Sequence, residues 1–105
     1  MKFQEQQQTP LFDALKKHVA EGTLPFHVPG HKGGKGIPEF RAFVGENVLS
    51  IDVTSGLLDL DTICNPRGVI QEAEDLAARA FGADHAHFLV NGTTSGIQAM
   101  ILSVA

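Results

Sequence analysis

A chain of 105 residues with 43% hydrophobic side chains is too apolar for a disordered segment, and it is long enough for one small domain or part of a larger one. A formal charge of −4, with no run of more than two basic residues, excludes the clustered positive surface that nucleic acid requires. Cys64 is the only cysteine, which excludes an intrachain disulfide framework and a thiolate metal cluster. No stretch reaches the roughly 18 apolar residues of a membrane span, and no apolar signal core follows Met1. The expectation is a soluble cytoplasmic protein with no membrane or nucleic-acid partner.

Residues 1–8 are polar and glutamine-rich and read as a frayed, disordered tail. Thr9-Pro10 then reads as an N-cap with proline at the first helical position, where its missing N–H costs nothing. Leu11, Phe12, Leu15 and Val19 fall on one face of that helix, Lys16 and Lys17 suit its C-terminal half, and Gly22 ends it. Residues 24–38, "LPFHVPGHKGGKGIP", are dense in proline and glycine and predict a shaped loop. A short helix is predicted from Pro38 to Val44, and the β-branched content of "NVLSIDVT" (47–54) predicts a strand. Asn65-Pro66 marks a turn in the loop that follows.

Residues 69–82 predict the clearest helix, with Val69, Ala73, Leu76, Ala77 and Ala80 on one face. Gln71, Glu72, Asp75 and Arg79 line the other face, Asp75 and Arg79 are spaced to pair, and Gly82 suits the C′ position. "HAHFLV" (85–90) predicts a second strand, and Ile97, Met100, Ile101 and Val104 show the spacing of a last helix. Helix, strand, Gly/Thr/Ser turn and helix in this order are the local grammar of an α/β fold with a covered sheet.

Asn91-Gly92-Thr93-Thr94-Ser95-Gly96 lies where that second strand would give way to a helix N-terminus. Free backbone N–H groups converge at such an end, the helix dipole favours an anion, and glycine lets an anion approach closely. Spacing alone serves two readings equally: a cap by Thr93 or Thr94, and a phosphate cup. No Gly-Lys-Ser/Thr follows, so the turn is not a Walker loop.

"FHVPGHKGG", "SIDVT", "GVIQEAEDLAARAFGAD" and "FLVNGTTSGIQAMI" occur together in this order and cover nearly everything beyond residue 8. Together they resemble the start of the bacterial ornithine/lysine/arginine decarboxylase family. That resemblance implies an α/β fold, the N-terminal portion of the pyridoxal-phosphate-dependent transferase (aminotransferase-like, fold type I) major domain, over residues 9–105. It implies decarboxylation of a small-molecule basic amino acid in polyamine biosynthesis, with pyridoxal 5′-phosphate as cofactor and a homodimer or higher homo-oligomer. It implies that Thr93 and Thr94 contact the cofactor phosphate, helped by Gly92 and Ser95. Pro29, Gly30, His31 and Lys32 become a family signature near the active-site entrance or a dimer contact. The chain departs from the family pattern at Ser55 and Ile97, where members often carry Glu and Asn. In the family the Schiff-base lysine lies beyond residue 105, so the chain is expected to be a fragment without activity of its own. The alternatives are another pyridoxal-phosphate enzyme of that fold, or a non-catalytic product that docks on a full-length homologue.

Other residues read more plainly. His27 and His31 share no helical face, His85 and His87 lack a third ligand, and no metal site is expected. Asp52, Asp59 and Asp61 read as turn and capping residues, and Cys64 as a small packing residue. Lys16 and Lys17 sit on an exposed face, unlike a Schiff-base lysine, which needs a desolvated amine.

Overall fold

The computed structural model describes residues 3–105, so the first two residues of the expected tail lie outside the described residues. A 3-10 helix at Phe3–Gln7 leads into α1 (Pro10–Glu21), α2 (Pro38–Val44), α3 (Glu46–Ser50), α4 (Val69–Phe81) and α5 (Gly92–Val104). A second 3-10 turn, Lys32–Gly34, lies inside the proline- and glycine-rich loop. Proline stands at the first turn of both α1 and α2, and left-handed glycines, Gly22 and Gly82, end α1 and α4.

No strand forms among the described residues, which corrects the α/β expectation and the aminotransferase-like sheet it implied. A strand is stable only when a neighbour completes its hydrogen-bond ladder. Within 47–54 that neighbour is absent, and local bonds win: Glu46–Ser50 turns helical, the Ile51 N–H reaches the Asn47 carbonyl, and Leu49 is buried. Residues 85–89 take no regular structure, and the Phe88 N–H is bonded to the Glu74 carboxylate instead of to a ladder.

The core is small. Leu49, Leu60, Ile70, Leu76 and Ala78 are its buried apolar residues. α1 packs on α4, the first 3-10 helix also rests on α4, and α2, α3 and the Lys32–Gly34 turn form a second packed group. Gln6 ties the N-terminal turn down by donating to the Leu76 carbonyl at 3.2 Å. Gly34 is needed in that second group, because its φ is +78° and a Cβ there would meet Leu49 Cδ1 at 2.6 Å. The radius of gyration, 16.6 Å, exceeds the ~13 Å of a compact chain this long.

The buried stripe of α4 is rotated from the predicted one. Ile70, Glu74 and Ala78, four apart, face inward with Leu76, whereas Ala80 is exposed. Asp75 accepts from the Gln71 amide at 3.0 Å rather than pairing with Arg79. Cys64 is exposed, so it does not serve the packing role expected of it. α5 forms at its predicted place, but none of its residues is buried: Ile97, Met100, Ile101, Leu102 and Val104 all face solvent.

Candidate functional site

Asn91 and Gly92 open α5 with φ of +64° and +69°. Two successive left-handed residues turn the chain from the irregular 85–89 segment into the helix. Nothing lies within 4 Å of the place a Cβ on Gly92 would occupy, so the approach to the backbone is open there. No side chain caps this end. The first-turn N–H groups therefore have no intrahelical acceptor and no capping oxygen, and the dipole leaves partial positive charge on them.

The three hydroxyls divide their work. Ser95 Oγ donates to the Val90 carbonyl at 2.7 Å and lies 2.8 Å from that of Gly92, so it closes the turn on itself. Thr93 and Thr94 are exposed, and their hydroxyls have no hydrogen-bond partner among the described residues. The cap reading of Thr93 or Thr94 therefore fails, while the open donors needed by the cup are present. Their chemistry fits a phosphate: backbone N–H groups, two free hydroxyls and no carboxylate in the turn.

Position comes from α4. Glu74, only 3% exposed, accepts the Phe88 N–H at 2.8 Å and so anchors the segment that carries the turn. Gly96 packs against Leu89, where an added Cβ would lie 2.5 Å from Cδ1. Sequence reasoning missed Glu74; the available signal was an acid at the i+4 position between Ile70 and Ala78, on what proves to be the buried stripe.

Asp61 does for α4 what a cap residue does, from a distance. It is itself left-handed at φ +64°, and its carboxylate accepts from the N–H groups of Thr62, Arg67, Gly68 and Ile70 at 2.7 to 3.2 Å. Desolvation pushes this carboxyl up, but the backbone donors of Thr62, Gly68, Arg67 and Gln71 outweigh it and hold it down at about 2. The expected capping role thus belongs to Asp61. Asp59 and Asp52 instead meet histidines: His18 Nδ1 lies 2.7 Å from Asp59, and His31 Nε2 lies 3.1 Å from Asp52. The His18 ring holds the Asp59 carboxyl below its ordinary range.

The Pro29-Gly30-His31-Lys32 signature sits on the loop beside α2 and α3, and the Lys32 ammonium donates to the His27 carbonyl. No described hydrogen bond joins this loop to the α5 turn. The His85 and His87 rings stack with centroids 6.4 Å apart. No helix is long and apolar enough to cross a membrane among the described residues.

Comparison with known proteins follows the same residues. The family described as Orn/Lys/Arg decarboxylase, major domain, matches residues 9–105. An arginine decarboxylase of Bacillus subtilis is 51% identical over 94% of this chain and 20% of its own length. The lysine decarboxylase LdcA of Pseudomonas aeruginosa is 40% identical over 82% of this chain and 12% of its own. An inducible lysine decarboxylase of Escherichia coli is 35% identical over 82% and 13%. The chain spans about a fifth of the length of the Bacillus relatives, at 20% of the first. No solved structure matches. The chain belongs to the Orn/Lys/Arg decarboxylase family, within its major domain.

Proposed function

We propose that this chain carries the cofactor-phosphate end of a pyridoxal 5′-phosphate-dependent decarboxylase of a basic amino acid, arginine, lysine or ornithine, in the making of polyamines. The observation that carries the reading is the open start of α5, with its uncapped N–H groups and the unpartnered hydroxyls of Thr93 and Thr94. When bound, pyridoxal 5′-phosphate supplies an electron sink for bond breaking at the substrate's α-carbon. This chain's part is to hold and orient: Thr93, Thr94 and the backbone of Gly92 and Ser95 bind the phosphate, and Ser95 Oγ keeps the turn closed. Glu74 fixes the segment from which the turn projects.

The 105 residues by themselves are inactive in this account, because none of the described lysines suits a covalent amine. Lys16 and Lys17 are exposed and paired with Asp13 and Glu21, Lys35 is exposed, and Lys32 is bonded to the His27 carbonyl. A homodimer or higher homo-oligomer accompanies the activity, and the uncovered apolar surface of α5 supports association. The same surface favours a second reading, a non-catalytic chain that docks on a full-length homologue.

Pyridoxine 5′-phosphate tests the first reading, since it keeps the phosphate but lacks the aldehyde that reacts with any lysine. Equilibrium dialysis should show saturable binding that plain pyridoxine lacks, weakened ~10-fold or more in T93V/T94V. Equal retention of both compounds, or unchanged binding in the double variant, would refute the assignment. Co-elution with the B. subtilis arginine decarboxylase, without retention of pyridoxine 5′-phosphate, would favour the second reading.

A further inference from the structure

α5 buries none of its residues and packs extensively on no other described helix. An uncapped and uncovered first turn tends to fray, and its N–H groups then no longer converge on one point. Residues 92–96 are nevertheless helical, and two contacts from the segment just before them hold that turn. One is the Ser95 hydroxyl, which donates to the Val90 carbonyl at 2.7 Å. The other is apolar. Leu89 fills the space that Gly96 leaves: a Cβ on Gly96 would lie 2.5 Å from Leu89 Cδ1, 3.7 Å from Cγ and 3.8 Å from Cδ2.

Gly96 is not among the glycines of positive φ, so the backbone does not call for glycine there. Glycine inside a helix costs helical stability, and the seat it gives Leu89 offsets that cost. Leu89 itself stands on a fixed point. The residue before it, Phe88, gives its N–H to the Glu74 carboxylate at 2.8 Å, and Glu74 lies on the buried face of α4.

We propose that Leu89 is a positioning residue for the cofactor phosphate. Seated against Gly96, it carries the rigidity of α4 into the first turn of α5 and keeps the donors of Gly92–Ser95 converged while the turn is empty. The proposal rests on the phosphate reading of that turn. Donors already in place lose less freedom when a ligand binds, so affinity falls when their support is removed. Leu89 acts through Gly96 and touches no ligand.

Titration of the full chain with pyridoxine 5′-phosphate, followed by proton–nitrogen correlation spectra, tests this, with pyridoxine as the control. In L89A, saturation of the Gly92–Ser95 amides should need ~5-fold more ligand, and the Thr93–Gly96 amides of the free chain should exchange faster. L89M keeps a flexible apolar side chain of similar volume and should bind like the parent. G96A removes the seat, so in that background the L89A penalty should shrink to about twofold or less. Amide exchange at Leu76 and Ala78, in the core face of α4, should be the same in every variant. Parent affinity in L89A overturns the proposal, as does L89M binding no better than L89A. An undiminished L89A penalty in the G96A background, or lost α4 protection in L89A, does so too, because Leu89 would then act elsewhere than on the turn. A parent chain without saturable binding refutes the phosphate reading itself, and this proposal with it.

Discussion

Removing the Glu74 carboxylate is expected to free the segment that carries the α5 turn. In E74A the Phe88 N–H, now bonded at 2.8 Å, loses its acceptor while remaining partly buried. A hydrogen bond to a charged group contributes about 1.5–3 kcal/mol, and an orphaned buried donor costs about 1–3 kcal/mol. Removing a carboxylate that is only 3% exposed also relieves desolvation, which offsets part of this loss. A net cost of about 2 kcal/mol is expected, or a Tm lower by on the order of 10 °C for a chain this size. E74Q keeps an oxygen for the Phe88 N–H and should cost about 1 kcal/mol or less. Urea unfolding gives the stabilities, and amide exchange at Phe88 reports the bond itself. The reasoning fails if E74A leaves Phe88 exchange unchanged, or if E74Q is as damaging as E74A.

Three further outcomes follow from local geometry. The Asp61 carboxyl sits at about 2, below the ordinary 3.8, so its contribution to stability is present above pH 3.8 and is lost as pH falls through about 2. Carbon NMR of the carboxyl should show that titration, and D61A should lower Tm and reduce the acid-range dependence, with Asp59 supplying part of what remains. G34A should destabilise by about 2 kcal/mol or more in urea, because it combines a left-handed φ of +78° with a Cβ 2.6 Å from Leu49 and 3.1 Å from Arg41 Cβ. G96A should fall within about 1 kcal/mol of the parent: its Cβ meets only the end of the half-exposed Leu89 side chain, and alanine favours the helix.

What the residues disclosed by themselves divides along the range of the forces involved. Capping and proline signals are local, so α1, α2 and the end of α4 fell where Thr9-Pro10, Pro38 and Gly82 put them. The Asn91–Ser95 turn was legible for the same reason, since two glycine-like dihedrals and a helix start need only neighbours in sequence. The strands were not, because Val48, Ile51 and Val53 state a preference that only a paired neighbour could realise. Glu74 was hidden too: an acid on a helix reads as solvated until the Phe88 N–H, fourteen residues on, is seen to meet it. The His18–Asp59 and His31–Asp52 contacts span 41 and 21 residues and carry no sequence signal.

The most direct test of the central claim maps pyridoxine 5′-phosphate onto the chain by proton–nitrogen correlation spectra. The account predicts saturable shifts at the Gly92, Thr93, Thr94 and Ser95 amides, absent with pyridoxine and needing ~10-fold more ligand or beyond in T93V/T94V. Binding that moves other amides while these four stay still would contradict it.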